Sequence, residues 1–151
     1  MWPFNRKKWE KRGVSVSPEI LRFELATMRG VKAVPPMRDT NYRAISYKDF
    51  MVLVEKYRRT DDGPYVVNIR DCDKYAIFFQ ADIMRGWADC SNGQEALAFG
   101  YMSGLVKTDT GKTICHGWIW QRDDDGKYWY LHGQTAAPMS WEIINFNLAT
   151  G

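Results

Sequence analysis

The sequence has little cysteine and almost no histidine: three Cys and two His in 151 residues. Three is odd and no CxxC pair occurs, so a disulfide framework is not supported and the thiols fit a reducing compartment. A zinc site fails on spacing, because Cys115 and His116 are neighbours whose side chains point to opposite faces of a strand. No apolar run approaches the roughly 20 residues needed to cross a bilayer, so no membrane span is expected. The start, Met1-Trp2-Pro3-Phe4-Asn5-Arg6-Lys7-Lys8-Trp9, is basic and aromatic and lacks the apolar segment of a secretion leader. The expected location is therefore cytoplasmic. A phosphate-cradling glycine loop, a dinucleotide fingerprint, a serine nucleophile elbow and internal repeats are absent as well. Asp123-Asp124-Asp125-Gly126 has the composition of a calcium loop but no distal Glu, and reads as a hairpin turn. Neither metal nor cofactor is expected.

What is abundant is aromatic: seven Trp, eight Tyr and seven Phe, 15% of the chain. With 45% hydrophobic and 26% charged residues, this is the composition of one ordinary globular domain, not of a disordered chain or a coiled coil. Residues 1–60 carry 14 Lys+Arg against 6 Asp+Glu, and residues 61–151 carry 7 against 12. The basic half reads as a solvated surface, and a nucleic-acid partner is not expected. Residues 1–16 read as a basic, flexible N-terminus and 17–151 as a single domain. An interfacial anchor built from Trp2, Phe4 and Trp9 is the alternative use of that terminus.

The chain divides into a helical front and a strand-rich back. Ser17-Pro18-Glu19 starts a helix, with Leu21, Leu25 and Met28 at helical spacing and Gly30 as the stop. Val34-Pro35-Pro36-Met37 is a connector. Ser46 starts a second helix with Asp49 in the capping position, an apolar stripe of Phe50, Leu53, Val54 and Tyr57, and an end at Asp61-Asp62-Gly63-Pro64. A third begins at Asp71 or Cys72. Cys72, Ala76, Phe79 and Ile83 share its face, and Gly86 and then Ser91-Asn92-Gly93 close it. Leu97 to Val106, Ile114 to Trp120 and Tyr128 to Gln134 are strands, and Ser140 to Leu148 reads equally as strand or short helix. A three-residue loop ending at Gly126 sets Trp120 opposite Tyr130, Trp118 opposite His132 and His116 opposite Gln134, with His132 diagonal to His116, whereas a two-residue loop of Asp125 and Gly126 sets His116 opposite Thr135.

A thiol at a helix start and a histidine on a later strand form the arrangement that a cysteine nucleophile needs. Cys72 is the candidate nucleophile and His116 the base. Gln134 or His132 would orient the imidazole, and the backbone amides of Cys72 and Asp73 would meet an oxyanion. Each residue also has a plainer reading. Cys72 fits a small buried hydrophobe, Asp71 and Asp73 fit a helix cap and a first-turn acid, and His132 fits packing against Trp118. Trp118, Trp120, Tyr128 and Tyr130 fit core or wall, and the same rings suit stacking on a sugar or base.

Asp71-Cys72-Asp73-Lys74-Tyr75-Ala76, Cys115-His116-Gly117-Trp118 and Tyr130-Leu131-His132-Gly133-Gln134-Thr135 resemble motifs of the transglutaminase-like branch of the papain-like cysteine fold, most of all its small phage-encoded members. The likeness covers about residues 46–139. It implies an α+β fold: N-terminal helices and a Cys-bearing helix packed on an antiparallel sheet. It implies a cysteine-dependent acyl-transfer enzyme, hydrolase or transferase, with Cys72, His116, Gln134 and His132 catalytic. Trp118, Trp120, Tyr130 and Asp73 then meet a peptide, protein or small-molecule substrate. His132 departs from the pattern, which has an acidic residue at that position. A phage origin adds a host protein as partner and the host cytoplasm as location. The alternative is a non-catalytic binding protein on the same scaffold, holding a small ligand, sugar, nucleotide or host protein in an aromatic-lined pocket.

Overall fold

Two helix starts follow from one piece of chemistry. Ser17 Oγ accepts the Ile20 N–H at 3.2 Å and Ser46 Oγ accepts the Asp49 N–H at 3.1 Å. Each satisfies an amide that a first helical turn leaves open. In the computed structural model, which describes residues 9, 11–28, 31–33, 37, 39–61, 63–67, 71–91 and 95–149, these caps open α1 (Pro18–Ala26) and α2 (Tyr47–Tyr57). The short strands β1 (Val14–Val16), β2 (Val31–Ala33) and β3 (Tyr42–Ala44) flank them. The long helix α3 (Cys72–Cys90) follows, and then β4 (Ala96–Leu97), β5 (Phe99–Lys107), β6 (Thr113–Arg122), β7 (Tyr128–His132) and β8 (Glu142–Ala149). The proposed stop at Gly30 and the connector residues 34–36 lie outside the described residues.

The α+β class stands, but the sheet is not purely antiparallel. The larger sheet runs β2-β8-β5-β6-β7, with β2 parallel to β8. The smaller runs β1-β3-β4, with β3 parallel to β4. The segment that read equally as strand or helix is β8, inserted between β2 and β5. Two local expectations change. Trp9, assigned to a flexible terminus, is 2% exposed and meets Trp87 edge-on at 6.2 Å, while β1 pairs with β3. Burying that indole offsets the cost of ordering the segment. Of the two expected stops, Gly86 does not end α3, which runs on to Cys90 with Ser91 as its cap; Asn92 and Gly93 lie outside the described residues. Gly86 lies where α2 crosses the helix, and a Cβ there would stand 2.3 Å from the Tyr57 ring.

The larger sheet is covered on both faces. Side chains alternate along β6, so Ile119 joins Phe79, Ile83, Leu53 and Phe50 beneath α2 and α3. Trp118 and Trp120 join Leu25, Met102 and Val106 on the other face. Arg122 grips Glu24 through two nitrogens at 3.1 and 3.2 Å, and the Tyr128 hydroxyl donates to the same carboxylate at 2.9 Å, fixing α1 to that face. The hairpin has the expected register, Trp118 opposite His132 and Trp120 opposite Tyr130, with Gly126 at φ +84°. Buried Asp123 organises its turn. Its carboxylate accepts the Asp125 and Lys127 amides at 2.9 Å and the Trp129 indole N–H at 2.8 Å. Burial alone would raise its pKa. The Trp129, Lys127 and Asp125 hydrogen bonds and the Arg122 charge outweigh burial and lower it.

Two outcomes follow. Helix propensity favours Gly86→Ala by about 0.5–1 kcal/mol, but the Tyr57 clash opposes it by about 1–3 kcal/mol, so urea unfolding should show a net loss. Because the Asp123 carboxylate is held below its unfolded value, its contribution is present above about pH 4 and fades as pH falls. The urea midpoint of Asp123→Asn should fall less steeply than that of the parent protein on acidification below that point.

Candidate functional site

β7 ends at His132, whereas β6 begins at Thr113. The β6 edge is therefore uncovered by β7 from Thr113 to Gly117, and the start of α3 reaches it there. The Gly117 amide hydrogen-bonds the Cys72 sulfur, and the Cys72 thiol donates to Asp73 Oδ1 at 4.0 Å. Beyond β7 the chain turns sharply. The Ala136 amide donates to His132 O and the His132 amide to Ala137 O, both at 2.8 Å. Arg58, just past α2, donates to the Gln134 and Thr135 carbonyls at 3.2 and 3.4 Å and fixes this turn.

A cavity of about 360 Å³ opens between these pieces, lined by Tyr65, Cys72, residues 114–117, residues 132–135 and Trp141. Its size falls at the small end for small-molecule sites. At its centre His116 Nε2 lies 3.1 Å from His132 Nδ1, the diagonal pair that the hairpin register places together. Trp141 packs on both rings, 5.1 Å from His116 and 4.7 Å from His132, and Trp118 stacks behind His116 at 6.1 Å. A second concavity of about 450 Å³, by Glu19, Arg22, Phe23 and Ala26, lies along α1 alone and brings no such convergence of polar groups.

The electrostatics make this site neutral. Burial, reinforced by His132, pushes the His116 imidazole down to about 4. Burial also lowers His132, against an upward pull from Asp109. The Cys72 thiol moves upward. Burial leads, and the Asp73 and Asp71 carboxylates add to it. The Gly117 and Asp73 amides pull the other way and lose. A helix start alone argues for a thiolate; here burial and two neighbouring acids keep the proton on sulfur.

Of the expected residues, Cys72, His116, His132 and Gln134 share the cavity wall. Gln134 does not oppose His116 in a ladder, because β7 has already ended, and His132 is the group bonded to the imidazole. Trp118 and Trp120 are fully buried core residues, and Tyr130 turns its hydroxyl to Met28 Sδ at 3.6 Å. Asp73 faces the Cys72 sulfur and the β6 backbone. The aromatic wall is instead Trp141. Its local sequence, Ser140-Trp141-Glu142, has no chemical pattern that marks it; only the placement of β8 brings it in. Cys115 is exposed and Cys90 buried. No described helix is long and apolar enough to cross a membrane.

No protein-family model and no curated protein matches the chain. Solved structures do. One, titled "PSL1a-E64 complex", superposes with a TM-score of 0.66 at 13% identity over 89% of this chain and 50% of its own. Another is the Polyporus squamosus lectin, titled as bound to the human-type influenza-binding epitope Neu5Aca2-6Galb1-4GlcNAc, with a TM-score of 0.62 at 11% identity over 89% of this chain and 49% of its own. The chain thus spans about half the length of either and shares their fold. These neighbours are titled as PSL1a and a lectin, not as transglutaminase-like or papain-like peptidases. The resemblance to that family is corrected accordingly, together with the phage origin and the cysteine-protease class that it implied.

The histidine pair sets a pH signature. A histidine whose folded pKa is lowered binds fewer protons in the folded state, so stability falls as pH drops from about 6.5. It levels off near the folded value of about 4. Nitrogen NMR should show His116 titrating near 4. In His132→Gln its midpoint should rise, because the second imidazole no longer opposes its charge.

Proposed function

We propose that this protein is a binding protein that holds a small polar ligand of the sugar class in the cavity at His116, His132 and Trp141. One observation carries this reading: the half-buried Trp141 indole lines the same cavity as two neutral, hydrogen-bonded imidazoles. An aromatic face suits the C–H surface of a pyranose ring. Neutral imidazoles, the Gln134 amide and the Thr135 hydroxyl supply directional hydrogen bonds without the desolvation cost of a fixed charge. The lectin that shares the fold, titled with a bound glycan, supports the same class.

Glycan-array screening followed by calorimetry on the hits tests the proposal. Trp141→Ala should weaken binding at least tenfold, about 1.4 kcal/mol, and bound glycan should change tryptophan fluorescence in the parent protein. An array with no hits, or a hit that Trp141→Ala leaves untouched, overturns it.

A second reading, thiol-dependent acyl transfer by Cys72 with His116 as base, has one observation in its favour: both residues line the same cavity. In the neutral resting state the proton would have to pass from sulfur to imidazole on substrate binding. Alkylation read by mass spectrometry separates the two readings. On the binding-protein reading, exposed Cys115 reacts first at neutral pH, Cys72 lags behind it, and Cys90 reacts only on unfolding. Cys72 reacting ahead of Cys115, and losing that lead in His116→Ala, would favour acyl transfer.

A further inference from the structure

We infer that the His116–His132 pair reads hydroxyl groups, so that the cavity selects a neutral polyol face and rejects acids and amines of the same shape. This rests on the sugar-binding reading and names what that site takes. A neutral imidazole has one N–H and one lone pair. The His116 Nε2 to His132 Nδ1 bond at 3.1 Å uses one of each across the two rings. What remains is fixed by counting. If His116 donates, its Nδ1 keeps a lone pair and His132 Nε2 keeps an N–H. If His132 donates, the two ends exchange roles. In either state the pair presents one donor and one acceptor, never two of a kind.

Neither remaining nitrogen meets a protein partner among the described residues, and neither is sealed from solvent. Trp141 covers both rings and holds their orientation. A carboxylate accepts only, so it satisfies the N–H end alone. An ammonium donates only, so it satisfies the lone-pair end alone. A hydroxyl does both, so two hydroxyls on one ligand satisfy both ends in either tautomer. Leaving either end unpaired in a desolvated site weakens binding by about tenfold or more, which makes the discrimination large.

The surroundings keep the pair neutral. The titratable groups around the cavity are Cys72 at the start of α3 with the Asp71 and Asp73 carboxylates beside it, Tyr65 before it and Cys115 on β6. Asp109, in the β5–β6 turn, acts on His132. The Cys72 and Tyr65 values both move up, so both groups stay uncharged at neutral pH. When the pair takes up a proton on acidification, both outer nitrogens carry N–H and the acceptor is lost. The preference should then swing from neutral glycosides toward uronates.

The test is nitrogen NMR on protein labelled at histidine, with a panel of neutral methyl glycosides and the matching uronates as probes. At neutral pH each ring should carry one proton, with coupling across the N–H···N bond. A neutral glycoside should shift His116 Nδ1 and His132 Nε2, and its uronate should bind at least tenfold more weakly. His132→Phe should abolish this selectivity. His132→Gln, which keeps a donor and an acceptor, should retain it and serves as the control should the Phe variant fail to fold. Equal binding of glycoside and uronate overturns the inference. So does a glycoside that changes Trp141 fluorescence while both ring nitrogens stay unmoved, a result that leaves the sugar-binding reading standing. Failure of every glycan to bind overturns that reading, and this ligand assignment falls with it.

Discussion

A Cβ on Gly117 would stand 2.6 Å from Asp73 Oδ1 and 3.1 Å from Asp73 Cα, and one on Gly133 would stand 2.7 Å from the Ala76 amide nitrogen. Real Cβ atoms do not stand that close to backbone, so the first turn of α3 rests on the end of β7 only because Gly133 is glycine, and at Gly117 any side chain would force the Asp73 carboxylate aside. That approach brings Cys72 to the β6 edge, one residue from His116. The same place is where β7 stops pairing and the Arg58-anchored turn begins. Strand end, helix start and turn meet there, and the cavity is the space that they leave between them.

Burial then decides the chemistry of that space. A helix start favours an anion through its open amides, worth about 0.3–1 kcal/mol at an exposed site. At Cys72 this pull meets desolvation and two carboxylates, and the sulfur keeps its proton. Desolvation acts on His116 in the opposite sense of charge and reaches the same result, an uncharged group. Acid and base thus move apart in pKa, the reverse of what a thiolate–imidazolium pair requires. The wall is rich in hydrogen-bonding capacity and poor in charge, which suits recognition of an uncharged ligand.

The parts of the fold that were legible in the sequence are those set by near neighbours. Ser17 and Ser46 cap their helices because a hydroxyl three residues before an open amide suffices. Gly126 allowed two loop lengths, and the three-residue one, which places His132 diagonal to His116, is the one formed. Long-range effects were hidden. Gly86 looks like a helix stop until Tyr57 is seen crossing above it. Trp118 and Trp120 look like an aromatic wall until α1 covers their face of the sheet. Trp141 carries no local signal, because β8 earns its place by pairing with β2 and β5, distant in sequence. The short family-like motifs matched the order of the elements, a likeness that many α+β chains can satisfy.

β8 lies inside the sheet, with neighbours on both sides, and Trp141 immediately precedes it. Along β6, residues 114–117 of the cavity wall stay paired with β5 throughout. A wall built on interior ladders shares their resistance to amide exchange. Trp141 is tethered to that ladder at one end, where Glu142 and Ile143 pair with Lys107 and Val106. The β6 side of the cavity is therefore tied to unfolding of the sheet, while the turn at residues 133–135 can adjust on its own, and a ligand that bridges the two would be felt as added stability of the protein.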